Sequence, residues 1–237
     1  MSKRLIYLAS GIILFFLFIC FSYLVHRSLF VQSDFNTTVH LQDHLSRHFD
    51  TLFSLLSGIG QFAVMIVVLI ALFLILRKIK EGIIALAFFG GFHVIEIYGK
   101  YFVHHPPPPQ FMVRTQNLIP LSPFDVRTEN SYPSGHAARA MFISVICLIF
   151  IWQSKRLGTM TKLILSVLLL GYDVTMLISR VYLGEHWTSD VIGGTLLGSA
   201  FALFSGIFLV EKSNNEKHEE KKKSFFPKYK IEVKRVE

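Results

Sequence analysis

Cysteine and charge are both scarce in this chain. Only Cys20 and Cys147 occur among 237 residues, each inside an apolar run, so a structural disulfide is not expected and the pair says nothing of redox compartment. Charged residues make up 17% against 52% hydrophobic, with 23 phenylalanines, and charge is missing altogether from runs such as 5–25 and 52–76. Uncharged runs of that length span a bilayer, which excludes a soluble core. No small-residue cleavage site follows the first run, where Tyr23, Leu24, Val25 and His26 stand instead. Lys3, Arg4 and this long apolar run are therefore expected to form a retained anchor rather than a signal peptide.

Six spans are expected, at 5–25, 52–76, 82–102, 133–152, 163–179 and 191–210, giving an all-α polytopic membrane protein with six transmembrane helices in one domain, 1–211. With both termini cytoplasmic, the inner segments carry Lys3, Arg4, Arg77, Lys78, Lys80, Lys155, Arg156 and Lys162 as well as a basic tail, 212–237. The positive-inside rule favours this orientation, which puts Lys100, the 103–132 loop and residues 180–190 on the extracytoplasmic side. The net charge of +8 does not imply nucleic acid, because the surplus lies in that tail. Anionic headgroups of the bilayer are one partner for it, and a solvated tail that only sets topology is the other reading. No obligate protein partner is implied.

Two histidines carry the chemistry. His186 and Asp190 are four residues apart, a helical step that would set imidazole and carboxylate on one face, with Asp190 holding one ring nitrogen and the other left to attack. His136 follows Pro133, Ser134 and Gly135 at an expected helix start, where free N–H groups and the dipole bind anionic oxygen; an ordinary capped helix start is the plainer alternative. His93, Glu96 and Lys100 form one stripe of the third span, and ionisable groups at that depth face a protein interior or a water-filled cavity. Lys100 is read as an oxyanion ligand or as a snorkelling partner of Glu96. Asp173 and Arg180 again share a face, as a phosphate fork or a structural pair. Glu185 is expected to point elsewhere and is assigned no chemistry. Four prolines after His104 and His105 impose a stiff, polyproline-like exit; the paired histidines lack a further ligand at metal spacing.

Lys100, the run Pro133, Ser134, Gly135, His136, and Ser179-Arg180 followed after five residues by His186 and after three more by Asp190 together resemble the membrane-bound type-2 phosphatidic acid phosphatase family, over roughly 96–194. The resemblance implies a vanadium-haloperoxidase-like helical core and a lipid phosphatase working through a phosphohistidine. His186 would be the nucleophile, Asp190 the carboxylate that orients it and His136 the general acid. Arg180, Lys100, Ser134 and the Gly135 backbone would hold phosphoryl oxygens. No metal or other cofactor is implied, fixed positive charge and N–H donors taking that part.

The first motif departs from the family. Its arginine-proline, seven residues after the lysine, is replaced here by Pro107 and Pro108. Arg139, one turn beyond His136, is the expected substitute cation, with Arg114 second. The implied substrate is a membrane phospholipid or polyprenyl diphosphate, namely phosphatidic acid, phosphatidylglycerol phosphate or a polyprenyl diphosphate. A lipid phosphotransferase using the same site and a non-catalytic lipid-binding or transport relative are the alternatives. Residues 34–51 read equally as an outer interfacial helix or as a loop.

Overall fold

In hydrocarbon a backbone has to satisfy its own N–H and C=O groups, so each long apolar run becomes a helix. The computed structural model describes residues 2–116 and 129–210. The described elements are α1 (Lys3–His26), α2 (Val31–His44), α3 (Phe49–Ile59), α4 (Phe62–Ile75), α5 (Ile79–Phe102), a 3-10 turn (Gln110–Met112), α6 (Gly135–Gln153), α7 (Thr159–Tyr182) and α8 (Thr188–Leu209). Helices α1, α5, α6, α7 and α8 are each long and apolar enough to cross a membrane, and α3 with α4 passes the same test as a bent pair, for five to six candidate spans. The chain is thus an all-helical integral membrane protein. The basic tail, 212–237, lies outside the described residues.

The second span was expected to be continuous over 52–76, but it bends by 59° between α3 and α4. Ser57, Gly58 and Gly60 make this stretch a weak helix former, and a tertiary bond completes the break. Arg139 Nε donates to the Gly60 carbonyl at 3.0 Å, while Gln61 turns extended at φ −63°, ψ 151°. The bend leaves α3 with Ser54, Ser57 and Gly58 buried and Phe49, Leu52, Leu55 and Ile59 exposed. Its polar side meets the protein and its apolar side faces outward. The segment after α1 is also a helix, α2, and its inward face is polar, with Asp34 and Thr38 buried and Val31 and Phe35 exposed.

Helix α8 is central, packed against α1, α5 and α6. Glycine permits its closest approach: a Cβ on Gly198 would collide with the Ala138 carbonyl, and one on Gly194 with the Ser134 carbonyl. Small residues at such spacing let helix backbones touch, which is how helices associate tightly within lipid. Behind them Phe89, Phe92 and Phe142 form a buried cluster with centroids 5.1 to 5.5 Å apart. Gly198→Val is expected to cost about 1–3 kcal/mol through overpacking, read as a lower thermal midpoint of the protein in detergent. An unchanged midpoint would show that α6 and α8 separate freely.

Candidate active site

Alternating helix direction gathers the sequence motifs at one end of the bundle. Lys100 sits in the last turn of α5, Ser134 caps the start of α6, Arg180 lies in the last turn of α7 and Asp190 in the first turn of α8. The Ser134 amide donates to the Asp190 carbonyl at 3.0 Å, so one backbone bond joins two motifs that lie more than fifty residues apart.

His186 and Asp190 meet, though not by the helical step expected of them. His186 precedes α8, whose N-cap is Trp187. The Asp190 carboxylate folds back over the helix start, accepting from the Trp187 amide at 3.0 Å and from His186 Nδ1 at 3.2 Å through the same oxygen, Oδ2. An acidic side chain in the first helical turn satisfies an otherwise orphaned N–H, and here that cap also fixes the imidazole. Gly184, at φ 66°, makes the preceding reversal. A side chain there would be strained and would strike the Met112 carbonyl, so only glycine carries the chain from α7 to His186 by this path.

His136 lies in the first turn of α6, half-buried, and its Nε2 is buried with no hydrogen-bond partner. The basic groups around it are Arg180, Arg139, His186 and Lys100. Ser134 Oγ accepts from the Ala137 amide at 3.5 Å, a weak cap that leaves first-turn N–H groups for an anion. Lys100 is half-buried, and its carbonyl accepts from Asn130 Nδ2 at 3.1 Å.

Arg180 is fully buried. It donates to Ser57 Oγ at 2.6 Å, to Ser179 Oγ at 3.0 and 3.2 Å and to the Phe53 carbonyl at 3.4 Å. Its Nη1 also pairs with Glu185. Glu185 therefore turns inward, contrary to the expectation for it, because the tight turn at Gly184 aims it back over α7. Thr115 Oγ1 donates to it at 2.7 Å. The Asp173 and Arg180 pairing is not formed; Asp173 instead accepts from Ser144 Oγ at 2.7 Å.

Arg139 lies beneath Gly135, where an added Cβ would contact Glu96 and Arg139 Nη1. The guanidinium binds the Gly60 carbonyl, stands 3.6 Å from Glu96 Oε2 and 3.3 Å from His93 Nε2. His93 Nδ1 faces the Phe89 carbonyl at 2.7 Å, which leaves Nε2 to accept from Arg139. Arg114 stacks 5.0 Å over the Tyr182 ring and donates to the Gln42 carbonyl at 3.0 Å. The proline run is extended as expected, with Pro109 at φ −59°, ψ 148°, and the Pro106 carbonyl accepts from Trp187 Nε1 at 2.7 Å.

Ser57 and Glu185 are site residues that motif spacing did not indicate. Ser57 comes from the bent segment, whose path depends on Arg139. Glu185 stood next to His186 all along, and its five-residue separation from Arg180 becomes a contact only because α7 ends between them.

Comparison with known proteins gives the family of the chain. The chain is 34% identical over 155 residues to undecaprenyl-diphosphatase of Sulfolobus acidocaldarius, covering 63% of this chain and 66% of that one. It is 35% identical over 100 residues to dihydrosphingosine 1-phosphate phosphatase YSR3 of Saccharomyces cerevisiae, covering 41% of this chain and 24% of the relative. It therefore spans about a quarter of one relative and just under two thirds of the other. The fold is similar to a crystal structure of a transmembrane PAP2-type phosphatidylglycerolphosphate phosphatase from Bacillus subtilis, with a TM-score of 0.64 and 22% identity over 90% of this chain and 96% of that one. The profile of the PAP2 superfamily matches residues 81–213, which include every motif of the site. The chain is a member of the PAP2 superfamily.

Proposed function

We propose that this protein is a phosphoric ester hydrolase, a metal-independent lipid phosphatase that acts through a phosphohistidine. One observation carries the reading: Asp190 holds His186 by Nδ1, while the buried Nε2 of His136 has no partner in a site that also gathers Arg180, Lys100 and Arg139. With Nδ1 engaged, His186 Nε2 keeps the lone pair. It attacks phosphorus, the bond from phosphorus to the leaving oxygen breaks, and His136, protonated once the charge of the bound phosphoryl group offsets the surrounding cations, gives its Nε2 proton to that oxygen. Water then attacks the phosphorus, passing a proton back to His136 as the N–P bond breaks, and phosphate leaves. In this reading the negative charge of the phosphoryl group is met by Arg180, Lys100, Ser134, the Gly135 amide and the neighbouring Arg139, with the phosphoryl group displacing Glu185 from Arg180.

The substrate is a phosphomonoester or diphosphate of a membrane lipid. The relatives named for undecaprenyl diphosphate and dihydrosphingosine 1-phosphate support this class, as does the outward apolar side of α3 beside the site. The basic-residue distribution supports cytoplasmic termini, an extracytoplasmic site, a catalytic unit over 1–211 and a cytoplasmic tail at 212–237. The deciding experiment measures phosphate release by purified protein in EDTA from phosphatidic acid, phosphatidylglycerol phosphate and a polyprenyl diphosphate. Release from at least one is expected; turnover that EDTA abolishes would overturn the metal-independent scheme.

Arg139 compensates in this reading for the missing first-motif arginine. Arg139→Ala is expected to lower kcat/KM by about 100-fold or more, the scale of one lost transition-state donor. Full turnover in that variant would remove Arg139 from the phosphate site.

A further inference from the structure

Behind Asp190, on the side away from His186, lies a buried polar cluster that this phosphoryl transfer does not use. Asp34, His105, Ser189 and Asp190 are 2%, 3%, 1% and 0% exposed, and they come from α2, from the segment after α5 and from α8. Ser189 donates through its amide to Asp34 Oδ1 at 2.9 Å and through Oγ to Asp34 Oδ2 at 2.6 Å. His105 Nε2 then faces three oxygens: Ser189 Oγ at 3.0 Å, Asp190 Oδ1 at 3.5 Å and Asp34 Oδ2 at 3.6 Å.

Those partners assign the proton. The Ser189 hydroxyl hydrogen is committed to Asp34, so its oxygen presents a lone pair to His105, and ionised carboxylate oxygens only accept. His105 Nε2 therefore carries hydrogen. Asp190 Oδ1 is buried with no hydrogen bond in the structure, and His105 is the group at ion-pair distance from it. The backbone holds His105 firmly in this place: its amide donates to Asn130 Oδ1 at 2.9 Å, and its carbonyl accepts from the amide and hydroxyl of Ser131 at 2.9 and 3.1 Å.

We infer that His105 is a positioning residue for the nucleophile: its Nε2–H, hydrogen-bonded to Ser189 Oγ at 3.0 Å, also faces the rear oxygen of Asp190 at 3.5 Å and by its charge sets the basicity of the carboxylate that orients His186. The inference rests on the reading of His186 as nucleophile. Asp190 divides its negative charge between Oδ2, which serves His186, and Oδ1, which faces His105. A donor at Oδ1 draws charge away from Oδ2; an opposing carboxylate, Asp34, draws that donor back. Burial pushes the Asp34 carboxyl above its ordinary range, against the hydrogen bonds from Ser189 and the charge of His105. The titratable groups facing the His105 and Asp190 pair are Asp34 from α2, Tyr132 from the segment before α6 and His186 just before α8, with His136 across the site.

Opposite substitutions should then move the pH profile in opposite directions. In His105→Phe the N–H edge facing Oδ1 is lost, Asp190 becomes a stronger partner for protonated His186, and the acid limb of kcat/KM rises by about half to one pH unit. The kcat falls about tenfold, the scale on which partners of ligating histidines act, with KM little changed because the phosphate ligands are untouched. His105→Gln, which retains an N–H donor, restores most of kcat. In Asp34→Asn the opposing negative charge is removed, the His105 N–H edge acts on Asp190 without that competitor, and the acid limb moves down.

The measurement is kcat and KM against pH for purified wild type, His105→Phe, His105→Gln and Asp34→Asn in detergent, with His186→Ala alongside. If His105→Phe does not purify folded, the downward shift in Asp34→Asn and the rescue in His105→Gln carry the test. An acid limb that stays put in every folded variant, while His186→Ala is dead, overturns the positioning role alone. Turnover surviving in His186→Ala would overturn the nucleophile reading and this inference with it.

Discussion

Alanine at position 186 is expected to reduce phosphate release by roughly 10⁴- to 10⁶-fold, the range spanned by single removals from a catalytic unit of nucleophile, base and carboxylate. The reason is local. His186 has one nitrogen engaged by Asp190 at 3.2 Å and its side chain is 12% exposed, so alanine removes the proposed attacking atom without vacating a deep core position. The variant should therefore remain folded while it loses turnover, which a melting curve in detergent verifies. A folded His186→Ala protein that still releases phosphate from any of the three lipids would require another nucleophile. His136→Ala should slow formation of the phosphoenzyme less with a substrate whose leaving group needs no proton, such as an aryl phosphate, because His136 serves that step only as the acid for the departing oxygen and acts as a base only in the later hydrolysis.

Removing Arg180 is expected to have the largest combined effect on activity and stability. Its side chain is wholly buried and its Glu185 partner 21% exposed; breaking a buried ion pair by deleting one member costs about 3–5 kcal/mol, and partial access of Glu185 to water places Arg180→Ala toward the lower end. The lost phosphate donor should lower kcat by about 10²- to 10³-fold in addition. Glu185→Gln separates the two. It leaves the guanidinium buried among Ser57, Ser179 and the Phe53 carbonyl without its counter-charge. The free variant should melt lower than wild type, while inorganic phosphate, no longer competing with a resident carboxylate, should raise its melting temperature more than that of wild type. Equal phosphate shifts in the two proteins would show that Glu185 does not compete for the Arg180 fork.

The apolar runs alone determined that this chain is helical and membrane-embedded, because hydrocarbon leaves the backbone no other way to satisfy its polar groups. Lys100, His136, Arg180, His186 and Asp190 were likewise legible from type and spacing, since alternating spans bring their helix ends to one side. The break at Gly60 was not, because it depends on Arg139 reaching the Gly60 carbonyl from another helix. Nor was the manner in which Asp190 holds His186: four residues of spacing fit a helical step and a folded-back cap equally, and the left-handed Gly184 selects the cap by ending α7 just before His186. Glu185 on Arg180 and His105 behind Asp190 follow from those turns. Periodicity in a sequence records which face of an element is apolar, whereas the partner of a buried charge is decided by where separate elements end and meet, and that is settled only when the helices pack.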